Sequence, residues 1–453
     1  MTSPKIQAAT SLLALACLST IAQAQVSSGG GGATSSEIAP GPDRSVCRIV
    51  VLKPGIPSDW IAFAVGAELV GSLGGPNSPG SPFGTTEFAM FEFPTLGAAL
   101  AAETVLDLSP DVILVEPPVN LTPPEICGVP SGVATQQCTV AFFDATPTTA
   151  EYTDQVAGPA IGLDETTAVN GNKKGTRVAV IDTGVDFNHP LLVGRFLQTG
   201  YDFVLDQPHA ADIPNAVDDD GDGLVDEAYG HGTFIAGLIA LVDPQVEIMP
   251  YRILNSDGIG TSWDLASAID RAASDGAQII NLSLSLAGPS EAVELAIQSA
   301  ASSINFDLTF VGAAGNAGEI GVNYPAAYEG VLGVAALDEL GTKADFSNYG
   351  PEVDICAPGV DVYSAMPGFA YATWSGTSMS TALATGAISR LATWKKNFSP
   401  TECAQAIRLS GEDASDMNPG FDGWLGSGQI NIADAAALLA DGDSDNDGVG
   451  SDG

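Results

Sequence analysis

The sequence predicts one large α/β domain at residues 151–440, a mainly parallel sheet with helices on both faces, preceded by a small α+β unit at 47–119. In the larger region, continuous apolar and β-branched runs alternate with helix-period stretches. That is the pattern of strands buried on both faces and joined by crossover helices. The smaller region runs strand–helix–strand–helix–strand, which suits a two-layer sandwich. Apolar residues make up 45% of the 453, enough for a sizeable core in spite of the acidity of the chain.

Residues 1–24 carry Lys5, an apolar run from Ala8 to Ile21, and then Ala22-Gln23-Ala24. A positive start, a short apolar stretch and small residues two apart are the pattern of a cleaved secretion signal. The run falls short of the roughly 20 apolar residues that a bilayer span takes. Residues 25–46 form a Gly/Ser-rich linker in which no core can form. In the small unit, Arg48–Lys53, Glu87–Phe93 and Val112–Val115 read as strands, with a further strand expected near Leu69–Leu73. Ser58 can cap a helix running through Trp60, Phe63 and Leu69, and Thr95–Leu106 reads as a second helix. Residues 120–150 are rich in proline, threonine and turn residues and read as a connector. Beyond it, Thr176–Ile181, Gln278–Leu284 and Thr309–Ala313 are expected strands. Gly232–Leu241, Asp264–Ala273 and Glu291–Ser299 are expected helices, and 441–453 is an acidic tail.

Fifteen basic against 55 acidic residues give a formal net charge of -40. Nucleic acid is excluded as a partner because phosphate neutralisation needs a basic face, and adhesion to an anionic membrane is disfavoured. Of six cysteines, Cys17 leaves with the signal. Export permits disulfides, and Cys127 with Cys138 and Cys356 with Cys403 are workable pairs, which leaves Cys47 over. The sequence alone does not fix that pairing.

Three histidines exist, His189, His209 and His231, so a histidine general base has few candidates. His231 sits in Gly230-His231-Gly232-Thr233, where small residues let a helix start and pack closely. Asp182 ends the apolar strand Val178–Asp182, at the edge where α/β sheets present their functional groups. Ser378, in Gly376-Thr377-Ser378-Met379-Ser380, opens a run of small residues that reads as a buried helix. The field at such a helix start favours a developing oxyanion. Singly, each of these residues has an ordinary structural use as a turn residue, a buried histidine or a cap. Together with Ala313-Ala314-Gly315-Asn316 they occur in the order Asp, His, Asn, Ser. In that order they resemble the signature segments of the subtilisin-like serine proteases, the subtilase family.

The resemblance implies acyl transfer through a triad. Ser378 attacks a peptide carbonyl, His231 takes its proton, Asp182 holds the imidazolium, and the Asn316 side-chain amide with the Ser378 N–H binds the oxyanion. It also implies that Ser283-Leu284-Ser285 lines the substrate pocket, where Ser285 replaces the family's usual glycine. Ala382-Leu383 likewise stands where the family shows Pro-His. The unit at 47–119 resembles the family's inhibitory propeptide, a ferredoxin-like prodomain acting on its own enzyme. Asp218, Asp220, Asp222 and Asp226 alternate around Gly223, a spacing that suits Ca2+, although Tyr229 stands where an EF-hand loop has its closing glutamate.

The expectation is a secreted, monomeric serine endopeptidase acting on polypeptides, made with a signal and a propeptide, holding structural Ca2+ and no organic cofactor. The alternative is a catalytically inactive relative that binds partners in a calcium-dependent way. An aspartic protease would need a second Asp-Thr/Ser-Gly, which the chain lacks. An α/β-hydrolase would need a histidine after its serine, and none follows His231.

Overall fold

The computed structural model describes residues 44–74, 81–84, 86–124, 142–143, 149–163, 174–302, 307–394 and 398–444. The expected signal, most of the linker and the end of the acidic tail lie outside them, as do Cys127 and Cys138. Among the described residues no helix is long and apolar enough to cross a membrane.

The chain divides into two compact units. The first comprises residues up to Val119 together with Ser290–Ser299. It is built from β1 (Cys47–Leu52), α1 (Ser58–Val65), β2 (Glu68–Gly74), β3 (Glu87–Glu92), α2 (Leu96–Asp107) and β4 (Val112–Glu116). The four strands form one antiparallel sheet in the order β2-β3-β1-β4. Val50, Leu52, Phe91 and Phe93 pack with Ile61 of α1 and Ala99 and Leu106 of α2. Thr95 caps α2 by accepting from the Ala98 N–H. Ser58 does not cap α1, because its hydroxyl turns to the Glu87 carboxylate. The helix ends at Gly66, which takes the left-handed region, and Leu69 belongs to the second strand. At the far end of β4, the Glu116 carboxylate accepts from the Ser290 hydroxyl (2.6 Å) and the N–H groups of Glu291 (3.0 Å) and Ala292 (3.2 Å).

The second unit begins with β5 (Asn120–Thr122), β6 (Phe142–Phe143), α3 (Thr149–Thr153) and α4 (Ala157–Ala160). It continues through β7 (Arg177–Asp182), β8 (Tyr201–Asp202), α5 (His231–Val242), β9 (Glu247–Arg252), β10 (Gly260–Thr261) and α6 (Ser262–Ser274). Next come β11 (Ile279–Leu282), β12 (Ser285–Leu286), β13 (Thr309–Ala313), β14 (Val331–Leu337) and β15 (Ile355–Pro358); α7 (Glu291–Ser302), which lies between β12 and β13 in the chain, falls in the first unit as far as Ser299. It closes with β16 (Val362–Met366), β17 (Ala370–Trp374), α8 (Thr377–Trp394), α9 (Pro400–Leu409) and α10 (Ile432–Ser444). Seven strands make a wholly parallel sheet in the order β15-β14-β13-β11-β7-β9-β8. Every residue of β11 and β13 is buried, as continuous apolar strands require. Residues Val178, Val180, Ile248, Ile279 and Val311 meet Phe234 and Leu238 of α5 and Met379, Leu383 and Ala387 of α8 in the main core.

The Cys356–Cys403 bridge is not formed, and both thiols are free and fully buried. They pack in separate apolar clusters, Cys356 with Ala314, Val322 and Leu425, and Cys403 in the main core. The Cys356 S–H donates to the Leu425 carbonyl at 3.3 Å. Burial pushes both thiols up to about 12, which leaves them inert as nucleophiles.

Candidate active site

β7 ends at Asp182, whose side chain is fully buried. One of its oxygens accepts from the Thr183 N–H at 2.7 Å. The same carboxylate meets His231 Nδ1 at 2.8 and 3.0 Å. His231 is the first residue of α5 and is also fully buried. The close approach of helix to strand depends on Gly232. A Cβ there would collide with the Gly184 carbonyl oxygen and stand 3.1 Å from the Asp182 carboxylate. The Gly232 N–H, one of the unsatisfied donors of a helix start, donates to Thr183 Oγ1 at 3.0 Å.

Ser378 lies in the first turn of α8, fully buried, and its hydroxyl reaches the Ser283 carbonyl at 3.4 Å. Ser283 returns a hydrogen bond from its own hydroxyl to the Ser378 carbonyl, 3.1 Å, and accepts from Asn281 Nδ2 at 3.0 Å. Thr377 organises Asn316: its N–H (2.9 Å) and its hydroxyl (2.8 Å) both donate to Asn316 Oδ1. The two bonds fix the oxygen end of the carboxamide as the acceptor, so its donors lie at the nitrogen end. The Gly315 N–H in turn donates to Thr377 Oγ1 at 3.2 Å. Trp374, four residues before Ser378, stands edge to face against the His231 ring at 5.4 Å and against Phe234 at 5.7 Å.

Leu284 is fully buried, and Ser285 accepts from Asn323 Nδ2 at 3.1 Å. β12, which begins at Ser285, forms one edge of a three-stranded sheet with β5 in the middle and β10 on the other side. Leu121 of β5 lies opposite both Gly260 and Leu286, Thr122 lies opposite Ser285, and the Asn120 carbonyl accepts from the Ala287 N–H at 2.8 Å. Leu121 is buried between these strands, and a Cβ at Gly260 would stand 2.8 Å from its Cδ1. The residues read from sequence as a connector thus supply a strand.

With this geometry in view, the likeness to known proteins is informative. The Subtilase family profile matches residues 173–428, more than half of the chain. The chain belongs to the Subtilase family. It is 37% identical over 277 residues to a thermophilic serine proteinase of a Bacillus species, covering 59% of this chain and 63% of that protein. It is 34% identical over 267 residues to thermitase of Thermoactinomyces vulgaris, covering 57% of this chain and 87% of that one. In fold, this subtilase is similar to the crystal structure of fervidolysin from Fervidobacterium pennivorans. The TM-score is 0.63 at 24% identity, over 86% of this chain and 61% of that one.

The acidic loop before α5 folds on its own carboxylates. Asp218 accepts from the N–H groups of Gly221 (2.7 Å) and Gly223 (3.0 Å). Asp220 accepts from Asp222 (3.0 Å), and Asp222 from Leu224 (2.7 Å). One oxygen each from Asp218, Asp220 and Asp222 lies within 4.8 Å of the others. Asp226 does not join them: its two oxygens accept from the N–H groups of Asn215 (2.8 Å) and Ala216 (3.0 Å). Glu227 is the residue the sequence reading passed over. Both its oxygens are buried without a hydrogen-bond partner among the described residues. Desolvation, with the charges of Asp257, Asp222 and Asp220, pushes it up to about 7.

Proposed function

We propose that this subtilase is a secreted serine endopeptidase that cleaves polypeptides through an acyl-enzyme on Ser378. The observation that carries the reading is the buried Asp182–His231 Nδ1 pair, with the start of α8 brought against the same imidazole through Trp374. A hydrogen bond to Nδ1 fixes the tautomer and leaves Nε2 as the base. His231 Nε2 takes the Ser378 proton as the hydroxyl oxygen attacks the carbonyl carbon, and later gives it to the departing amine. Asp182 stabilises the imidazolium between the two transfers. The negative oxygen of the tetrahedral intermediate is met by the Asn316 amide and the N–H of Ser378 at the positive end of α8. A fluorophosphonate tests this directly. Ser378 should be labelled in the native chain and not in Ser378→Ala, and Ser378→Ala should neither cleave peptides nor process its own precursor. An unlabelled native chain would favour a non-catalytic binding role.

The substrate runs between β10 and β12, where the backbone of Ser283, Leu284 and Ser285 aligns it as an added strand. β5 supports this, since it is a segment of the chain itself held as that middle strand. The unit at 47–119 is then a ferredoxin-like inhibitory propeptide. Its trailing residues occupy the groove at high effective concentration until cleavage releases them.

Ca2+ fits the acidic loop. Three carboxylate oxygens already converge, and Glu227 presents two orphaned buried oxygens among acidic neighbours. A hard cation with several oxygen ligands answers both. Asp218, Asp220 and Asp222 would hold it, with Asp226 clasping the loop from behind. The ion would supply rigidity to the loop that leads into His231, with no part in the acyl chemistry.

A further inference from the structure

We propose that Asp212 is a positioning residue for His231, clamping the first turn of α5 so that the imidazole is delivered onto Asp182. The inference rests on the serine-protease reading above and adds a residue to it. Asp212 is buried, far in sequence from any signature segment. Its backbone is tied to the residues that follow Asp182. The Asp212 N–H donates to the Val185 carbonyl at 3.1 Å, and the Val185 N–H donates to the Ala210 carbonyl at 2.9 Å. Gly184 makes room for this contact, since a Cβ there would lie 2.7 Å from the Ala211 carbonyl carbon.

From that anchor the carboxyl group reaches the first turn of α5, just beyond His231. Thr233 Oγ1, two residues beyond the histidine, donates to Asp212 Oδ2 at 3.0 Å and itself accepts from the Asp186 N–H at 2.9 Å. The other oxygen, Asp212 Oδ1, is buried with no hydrogen-bond partner among the described residues. α5 has no side-chain cap from its own N-cap residue, because that residue is Gly230. Asp212 and Thr183, which takes the Gly232 N–H, do that work from outside the helix. The two positions of α5 just beyond His231, 232 and 233, are therefore held by groups attached to the strand end that carries Asp182.

The clamp also has a charge. Facing Asp212 are Asp182 on β7, Arg252 on β9 (itself paired with Asp202 at 3.2 Å) and the Tyr229 phenol on the loop before α5. Asp186 is linked through Thr233, and His231 opens the helix being clamped. Burial first, then Asp182, raises the carboxyl group to about 8, against the Gly230, Thr233 and Arg252 contributions. Below that pH it is a neutral clamp. Above it, a second negative charge stands at the start of the His231 helix, where it favours the imidazolium formed during proton transfer. The expected signature is a second rise in kcat/KM on the alkaline side, separate from the acid limb of the profile.

The test uses the full chain after self-processing, with fluorophosphonate labelling to count active sites. Labelling of the native enzyme establishes the serine-protease reading by itself, and its absence would overturn that reading and this one together. Given labelling, Asp212→Asn keeps an oxygen for Thr233 but cannot ionise. It should fold with an unchanged melting temperature at pH 6, keep the acid limb, and lose the alkaline step. Asp212→Ala should lower kcat by about tenfold or more, since small misplacements of a catalytic group are costly, with KM within about twofold. Rescue of kcat at pH 6 by asparagine, with the alkaline step gone, is the outcome expected. An Asp212→Asn profile that superimposes on the native one would overturn the inference. So would an asparagine variant as slow as the alanine variant at pH 6, or an alanine variant with native kcat.

Discussion

Thr377→Val removes one hydroxyl and leaves the shape of the side chain, so it isolates what that hydroxyl does. Asn316 Oδ1 now receives two hydrogen bonds from Thr377, at 2.9 Å from N–H and 2.8 Å from the hydroxyl. The valine leaves the first and deletes the second. A neutral hydrogen bond contributes about 0.5–1.5 kcal/mol net. If all of that is expressed in the placement of the Asn316 amide, kcat falls about 2- to 12-fold, since 1.36 kcal/mol is tenfold. KM should not move, because the oxyanion exists only beyond the ground state. Asn316→Ala removes the donor itself and should cost on the order of 100- to 1000-fold in kcat. The same valine strips the Gly315 N–H of its acceptor at 3.2 Å, and a buried orphan donor costs about 1–3 kcal/mol of stability. Thr377→Ser should restore both. The assay is steady-state hydrolysis of a peptide anilide, normalised by fluorophosphonate titration, with a thermal melt alongside. A valine variant with native kcat, or an Asn316→Ala variant within threefold of native, would refute the assignment of Asn316 as an oxyanion donor held by Thr377.

Gly232→Ala should reduce kcat by about 100-fold through misplacement of His231, because the added methyl group has no room beside Gly184 and Asp182; a native rate would show that α5 can move aside freely. Chelation should lower the melting temperature by several degrees, since a ligand at 100 times its Kd stabilises by about 2.7 kcal/mol. An Asp218→Asn/Asp220→Asn double variant should melt at one temperature with or without chelator, and a native melt indifferent to chelator would remove the calcium site. In a Ser378→Ala chain, which should stay unprocessed, Leu121→Asp puts a carboxylate into the slot beside Gly260 and Leu286. Burying an unpaired polar group there costs about 2–7 kcal/mol, so β5 should leave and residues 120–122 should lose hydrogen-exchange protection. Unchanged protection would mean that the strand does not depend on Leu121.

The sheet was legible because its strands declare themselves locally. Thr309–Ala313 has the predicted ends, and the expected helices at 232–241 and 264–273 each grew by one or two residues at both ends. Elements whose form depends on a distant partner were not legible. Asn120–Thr122, followed by two prolines, has no periodicity of its own and becomes a strand only between Gly260–Thr261 and Ser285–Leu286. Ser58 carries a cap signature, yet Glu87, 29 residues on, takes its hydroxyl. Cys356 and Cys403 looked pairable by compartment, but they sit in different apolar clusters. In the site, spacing and order marked out Asp182, His231, Asn316 and Ser378. Thr377, which bonds Asn316, Thr183, which bonds the start of α5, and Asp212, proposed to clamp it, carry no mark that a sequence could show, because a hydroxyl or carboxyl group acquires such a use only from what folds against it.

The scarcity of cations explains much of how this site region is built. With 15 basic residues for 55 acidic ones, few buried carboxylates can be paired. Asp202 has Arg252 at 3.2 Å and Asp182 has His231 at 2.8 Å. Asp243 is met chiefly by the hydroxyls of Ser389 (2.6 Å) and Thr393 (3.0 Å), and its burial still raises it above the usual carboxylate range. Asp212 accepts from the Thr233 hydroxyl at 3.0 Å, and burial raises it to about 8 in spite of Arg252 nearby. A carboxyl group raised in the folded state binds its proton more tightly there than in the unfolded chain. Its contribution to stability is therefore full below about pH 4 and is lost as pH rises through 8. In the proposed mechanism, the partner of Asp182 is the side chain that becomes a cation during turnover. Glu227, whose two buried oxygens have no hydrogen-bond partner among the described residues, would be answered by a cation from solution. In a chain this acidic, the placement of the few positive charges and the proposed recruitment of Ca2+ are parts of the same electrostatic problem.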